Sequence, residues 1–162
     1  MSSAPKQAIV DELRAALTRE IDVLKQAANT AREAATHEEA KPENDKDTRA
    51  IEAAYLAGAQ ATRVRDLERA RNTLGFLDLR SFTDADPIGL GALVEAEVDG
   101  SRTILFIAPA GGGMRAHLEG KEVQVITPQS PLGQRVVGRS AGDVIELQLP
   151  GGKREYEILR VW

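Results

Sequence analysis

Apolar residues return every three or four positions from Ile9 to Ala35, in the series Ile9, Leu13, Leu17, Ile21, Leu24, Ala28, Ala31 and Ala35. A stripe of that period predicts an amphipathic helix over residues 5–39, with Pro5 suited to its first turn. The pattern breaks at Lys41-Pro42-Glu43-Asn44-Asp45, a turn-like run. A second helix is predicted over 44–77, with a seam of Ile51, Ala54, Ala57, Ala61, Val64, Leu67 and Leu74. Two helices joined by a short turn form an antiparallel hairpin, each arm roughly 45–50 Å long at 1.5 Å per residue. Its distal halves are rich in small residues: Ala27, Ala28, Ala31, Ala34 and Ala35 on one arm, Ala50, Ala53, Ala54, Ala57, Gly58, Ala59 and Ala61 on the other. Small side chains let helices approach closely, so a slender rod is expected.

Glycine and proline divide the chain. Residues 1–80 hold only Gly58, Gly75, Pro5 and Pro42, and the rest of both types lie in 81–162. Turn formers at that density mark a different construction. The stretch Asp78 to Gly91 reads as a linker. Leu93–Val98 alternates, Asp99-Gly100 signals a hairpin turn, and Thr103–Ile107 is β-rich. Gly111-Gly112-Gly113 reads as a loop and Val123–Ile126 as a strand. Pro131 is suited to start a short helix that Gly138 ends. Val144–Leu149 and Glu155–Val161 alternate around a turn at Pro150-Gly151-Gly152. The expected fold class is α+β in two domains: a helical hairpin over 1–80, a linker over 81–90, and a small sheet with one short helix over 91–162.

Aromatic residues make up only 4% of the chain, which suits Ala/Leu helices better than one conventional core. Cysteine is absent, which excludes disulfides and thiolate metal sites. No apolar run approaches membrane-spanning length and no signal peptide is visible, so a cytoplasmic protein is expected. A net charge of −4 argues against broad phosphate-backbone binding. Action near nucleic acid is therefore expected to run through a protein partner.

The string Ser130-Pro131-Leu132-Gly133, Gly138, Gly142-Asp143, Pro150-Gly151-Gly152 and Tyr156-Glu157-Ile158 resembles the C-terminal domain of the GreA/GreB transcription elongation factors. That family's pattern is S-P-[IL]-G-x(4)-G-x(3)-G-D-x(6)-P-G-G, closing on Y-E-I. With the preceding strands the resemblance covers about residues 88–162. The physical sense of these residues is structural: Gly133 and Gly138 suit close packing and a left-handed helix cap, and the remainder turn the chain.

The resemblance implies an FKBP-like fold for this domain and an antiparallel coiled coil before it. It implies a bacterial RNA polymerase accessory factor, not itself an enzyme. The C-terminal domain would dock at the rim of the polymerase secondary channel. The coiled coil would enter, its acidic tip contacting the active centre and, indirectly, the transcript. There the tip would help hold Mg²⁺ that belongs to the polymerase, so that backtracked RNA is cleaved. No metal or cofactor is expected in the isolated protein, which is expected to be a monomer. The alternative within the family is a regulator that occupies the channel without cleavage.

Residues 38–47 carry Glu38, Glu39, Glu43, Asp45 and Asp47 against Lys41 and Lys46, a local charge of −3. Carboxylates are suitable ligands for Mg²⁺ and proton acceptors. They also complement a helix N-terminus electrostatically, which is their plain structural reading. The candidate site residues are Glu43, Asp45 and Asp47, supported by Asn44 and Arg49. Arg49 stands at i,i+4 from Asp45 and is expected to pair with it. The family's tip reads roughly G-D-x-S-E-N-A-[DE]-Y. Counted back without gaps from Arg63-Val64-Arg65-Asp66-Leu67, which resembles the family's R-[IV]-R-x-L, that motif falls on Pro42–Ala50. Glu43 then takes the first acidic position and Lys46 the second. A gapped alternative sets Glu43-Asn44 on E-N and leaves Ala40 at the first acid.

Arg63, Arg65, Arg69 and Arg71 alternate with Asp66 and Glu68, the pattern of a solvated face. His37 and His117 are isolated in sequence, and Gly111-Gly112-Gly113 lacks the Lys-Ser/Thr of a phosphate loop. The rival of another class is a prolyl isomerase or chaperone, for which this half offers only the aromatics Phe82, Phe106, Tyr156 and Trp162.

Overall fold

A computed structural model of the protein describes residues 4–38 and 46–162. The elements are α1 (Ala4–Glu38), α2 (Lys46–Gly75), β1 (Leu93–Val98), β2 (Ser101–Ile107), β3 (Arg115–Leu118), β4 (Lys121–Ile126), α3 (Pro131–Val136), β5 (Val144–Leu149) and β6 (Gly152–Val161). The chain divides into two compact units, residues 15–71 and residues 1–14 with 72–162.

The first unit is a pair of antiparallel helices. Thr18 meets Arg71 and Lys25 meets Glu68, so positions ascending on one helix meet positions descending on the other. Among the described residues Leu17, Ile21 and Leu67 are buried in it, and Gln60 and Val64 are half-buried. The expected seam differs here. Ile51 is 70% exposed, and Ala54, Ala57 and Ala61 are exposed too. The contact line of α2 runs through Gln60, Val64 and Leu67, one position round from Ala61. Alanine side chains are too short to dictate which face of a helix is buried, so the larger residues at 64 and 67 set the rotation.

The second unit is built on a six-stranded sheet in the order β3-β4-β2-β1-β6-β5, with β2 and β4 parallel and every other pair antiparallel. Alternation along the strands gives it two apolar faces. Val94, Ala96, Leu105, Ile107, Ile158 and Val161 line one face, covered by Leu132 and Val136 of α3 and by Phe82 and Ile88. Leu93, Phe106, Val123, Val125 and Ala116 are also fully buried and lie on the other face. Ile9, Val10 and Leu13 of α1 and Leu74 of α2 are buried in the same unit and lie outside the cluster on the first face. The helix ends are thus part of the sheet unit's core.

A polar tie fixes α1 to the edge strand. Both oxygens of Glu12 reach His117: Oε2 accepts from its backbone N–H and Oε1 lies 2.8 Å from its Nδ1. Glu12→Ala is expected to cost about 1 kcal/mol, the usual net worth of such bonds. A fall of about 5 °C in the melting point of the sheet unit checks it.

The strand reading needs one addition. β3 carries the weak sequence Arg-Ala-His-Leu, of which only Ala116 is fully buried. The turn that pairs it with β4 is Glu119-Gly120, both at positive φ (49° and 79°). The segment 76–92 is also more than a spacer. Phe82 and Ile88 sit in the core, and Ile88 exchanges backbone hydrogen bonds with Gly138 and Arg139.

Candidate functional site

Of the predicted tip residues, Glu43, Asn44 and Asp45 lie outside the described residues, as does the side chain of Asp47, whose backbone is in the first turn of α2. The Asp45–Arg49 pairing falls there too. Arg49 itself is exposed on α2.

Further along the hairpin, the arginine run has specific partners. Arg63 Nη2 donates to Glu20 at 2.8 Å and Arg71 Nη1 to Thr18 Oγ1 at 3.1 Å. Lys25 Nζ donates to Glu68 at 2.9 Å, and this hydrogen bond with its charge holds the Glu68 carboxyl below its usual pKa. These residues bind the two helices across their contact line. On α2, Ile51, Tyr55 and Leu56 are exposed, at 70%, 81% and 59%.

In the sheet unit the family-like residues are structural. Ser130 caps α3: its Oγ accepts from Gly133 N–H at 3.0 Å and donates to Thr127 O at 2.8 Å. Pro131 opens the helix, and Gly138 ends it at φ 83° while donating to Ile88 O. Carboxylates here hold backbone amides. Asp84 accepts from Val161 N–H, Asp143 from Ser140 N–H, and Asp86 from both N–H and Oγ of Thr83. The Thr83 bonds keep Asp86 below the ordinary carboxylate pKa. Among the described residues no three His, Cys, Asp or Glu side chains converge on a possible cation site. None of the described helices is long and apolar enough to cross a membrane.

One surface escaped the sequence reading. Where α2 ends, Phe76 is 91% exposed and borders an open groove of about 680 Å³ with Leu77, Leu90 and Pro109. Its only sequence signal is a bulky aromatic directly after a helix-ending glycine.

The comparisons with known proteins bear on the sheet unit above all. The family model described as "Transcription elongation factor, GreA/GreB, C-term" matches residues 86–162. Transcription elongation factor GreA of Neorickettsia sennetsu is 30% identical over 99 residues, covering 61% of this chain and 59% of that protein. GreA of Pseudomonas aeruginosa is 27% identical over 105 residues, covering 64% and 63%. The chain thus spans about three fifths of the length of the curated relatives it matches. Among solved structures, GreA factor homolog 1 of Thermus thermophilus is 25% identical across 96% of this chain and 95% of that one, with a TM-score of 0.37. Gfh1 of Thermus aquaticus is 23% identical across 90% of each, with a TM-score of 0.38. Overlays that loose do not compare individual positions. The capped α3, its glycine terminator and the turn between β5 and β6 stand where the family sequence pattern has them, and residues 86–162 match the GreA/GreB C-terminal domain.

Proposed function

We propose that this chain is a transcription elongation factor that binds bacterial RNA polymerase through its C-terminal domain and places its helical hairpin in the secondary channel. The observation that carries the proposal is the family match over residues 86–162. Two long antiparallel helices joined near an acidic stretch support it. In this reading the factor acts in the cytoplasm as a monomer and is not itself an enzyme. Mg²⁺ belongs to the polymerase, and RNA is met only at the active centre. Glu43, Asp45 and Asp47 are the acids that would reach the metal, with Asn44 and Arg49 supporting the turn. Added carboxylates would orient a metal-bound water and accept its proton.

The test adds the full chain to purified polymerase and to backtracked complexes with Mg²⁺. Saturable binding to the polymerase is expected, and its absence would refute the proposal. Shortened RNA that disappears when Glu43, Asp45 or Asp47 is neutralised singly identifies a cleavage factor and names the acid. Binding without shortening identifies the channel-occupying alternative, which Lys46 at the second acidic position of the ungapped tip alignment favours. Accelerated prolyl isomerisation of a test peptide without polymerase binding would instead support the chaperone class.

A further inference from the structure

Phe76 is the most exposed of the large apolar side chains among the described residues. Its position is set by the backbone: the N–H groups of Phe76 and Leu77 bond back to Thr73 O and Leu74 O, both at 3.3 Å, and lead the chain out of α2. With Leu77, Leu90 (45% exposed) and Pro109 it makes an apolar groove whose volume, about 680 Å³, is in the range that accepts a bulky side chain or two.

The groove's lining holds one cation, Arg80. Its Cζ stands 4.1 Å from the centre of the Phe82 ring. Behind it the buried Lys6 donates to Arg80 O at 2.8 Å, which fixes the backbone there. Stacking holds the guanidinium in place, so little rotamer freedom is lost when a carboxylate meets it. Asp78 in the same lining disfavours a partner that presents its acid on that side.

We propose that this groove seats a surface segment of the polymerase in which an apolar side chain fills the space beside Phe76 and a neighbouring carboxylate meets Arg80. The inference rests on the reading that the chain binds polymerase, and it names the contact. Full-length wild type, Phe76→Ala and Arg80→Gln are compared by equilibrium competition for purified polymerase. Phe76 is almost wholly in solvent, so its variant keeps its melting point, and Arg80→Gln is checked in the same way. The expected result is binding weakened about tenfold or more by Phe76→Ala. Arg80→Gln should weaken binding and flatten its salt dependence. Wild-type binding with an equally tight Phe76→Ala variant would overturn this contact and leave the polymerase reading standing. No wild-type binding would remove both. A concentration-dependent dimer in sedimentation that Phe76→Ala abolishes would assign the groove to a second copy and overturn the proposal.

Discussion

Gly133→Ala is expected to lower the melting point of the sheet unit by about 15 °C, the largest effect of any single methyl group in the described structure. A β-carbon at 133 would stand 1.8 Å from the carbonyl oxygen of Thr127 and 2.9 Å from Ser130 Oγ. The oxygen is backbone, and it already accepts from Ser130 N–H and Ser130 Oγ. It cannot retreat without undoing the cap on α3, which also holds the N–H of residue 133. α3 in turn covers the sheet with Leu132 and Val136, so the strain reaches the core. Overpacking of this kind costs about 3 kcal/mol. Gly138→Ala is the comparison. Its φ of 83° is unfavourable for alanine, but nothing lies within 4 Å of the added carbon, so about 1 kcal/mol is expected. Trp162, the sole tryptophan and part of the sheet unit, reports both transitions by fluorescence. Equal losses at the two glycines would show that conformation, not contact, governs position 133.

That contrast also shows what a single sequence discloses. Local chemistry was readable wherever one residue type answers one backbone need. Asp99-Gly100 turns at φ 52° and 75°, Ser130-Pro131 caps and opens α3, and Gly138 closes it. The helices followed from periodicity because large apolar residues at 9, 13, 17 and 21 leave one consistent face. Beyond Leu24 that signal fades into alanine, and the rotation of α2 was misjudged for that reason. β3 was missed because its four residues bury one alanine side chain, too little to produce a pattern. Contacts distant in sequence were invisible in principle: nothing in Glu12 announces His117, and nothing in Lys6 announces Arg80. The family of the C-terminal domain was legible because its motif consists of turns and caps whose geometry tolerates few residue types. The acids at 43, 45 and 47 carry no such geometric demand, so the sequence pattern leaves their proposed role to the cleavage assay.

Lys6 supplies a prediction that sequence reasoning had no means to reach: the stability of the sheet unit should climb between pH 8 and 10.5. The side chain is 3% exposed, and its ammonium donates to Arg80 O beside a second cation. Burial first, and then the charge of Arg80, lower its pKa from 10.5 to about 8. An unfolded chain keeps the Lys6 proton up to about pH 10.5, whereas the folded chain releases it near pH 8. Between these limits the unfolded state binds more protons, so raising the pH favours the native state. Below pH 8 both states are protonated, the slope vanishes, and the burden of a buried ammonium is carried in full. The whole swing is on the order of 3 kcal/mol. Other lysines and tyrosines titrate over the same range, so the quantity to measure is the difference between wild type and Lys6→Met in urea unfolding at pH 7.5 and pH 10. Wild type should gain on the variant as the pH rises. A difference that stays constant would mean that Lys6 titrates normally and that water reaches its ammonium in the native state.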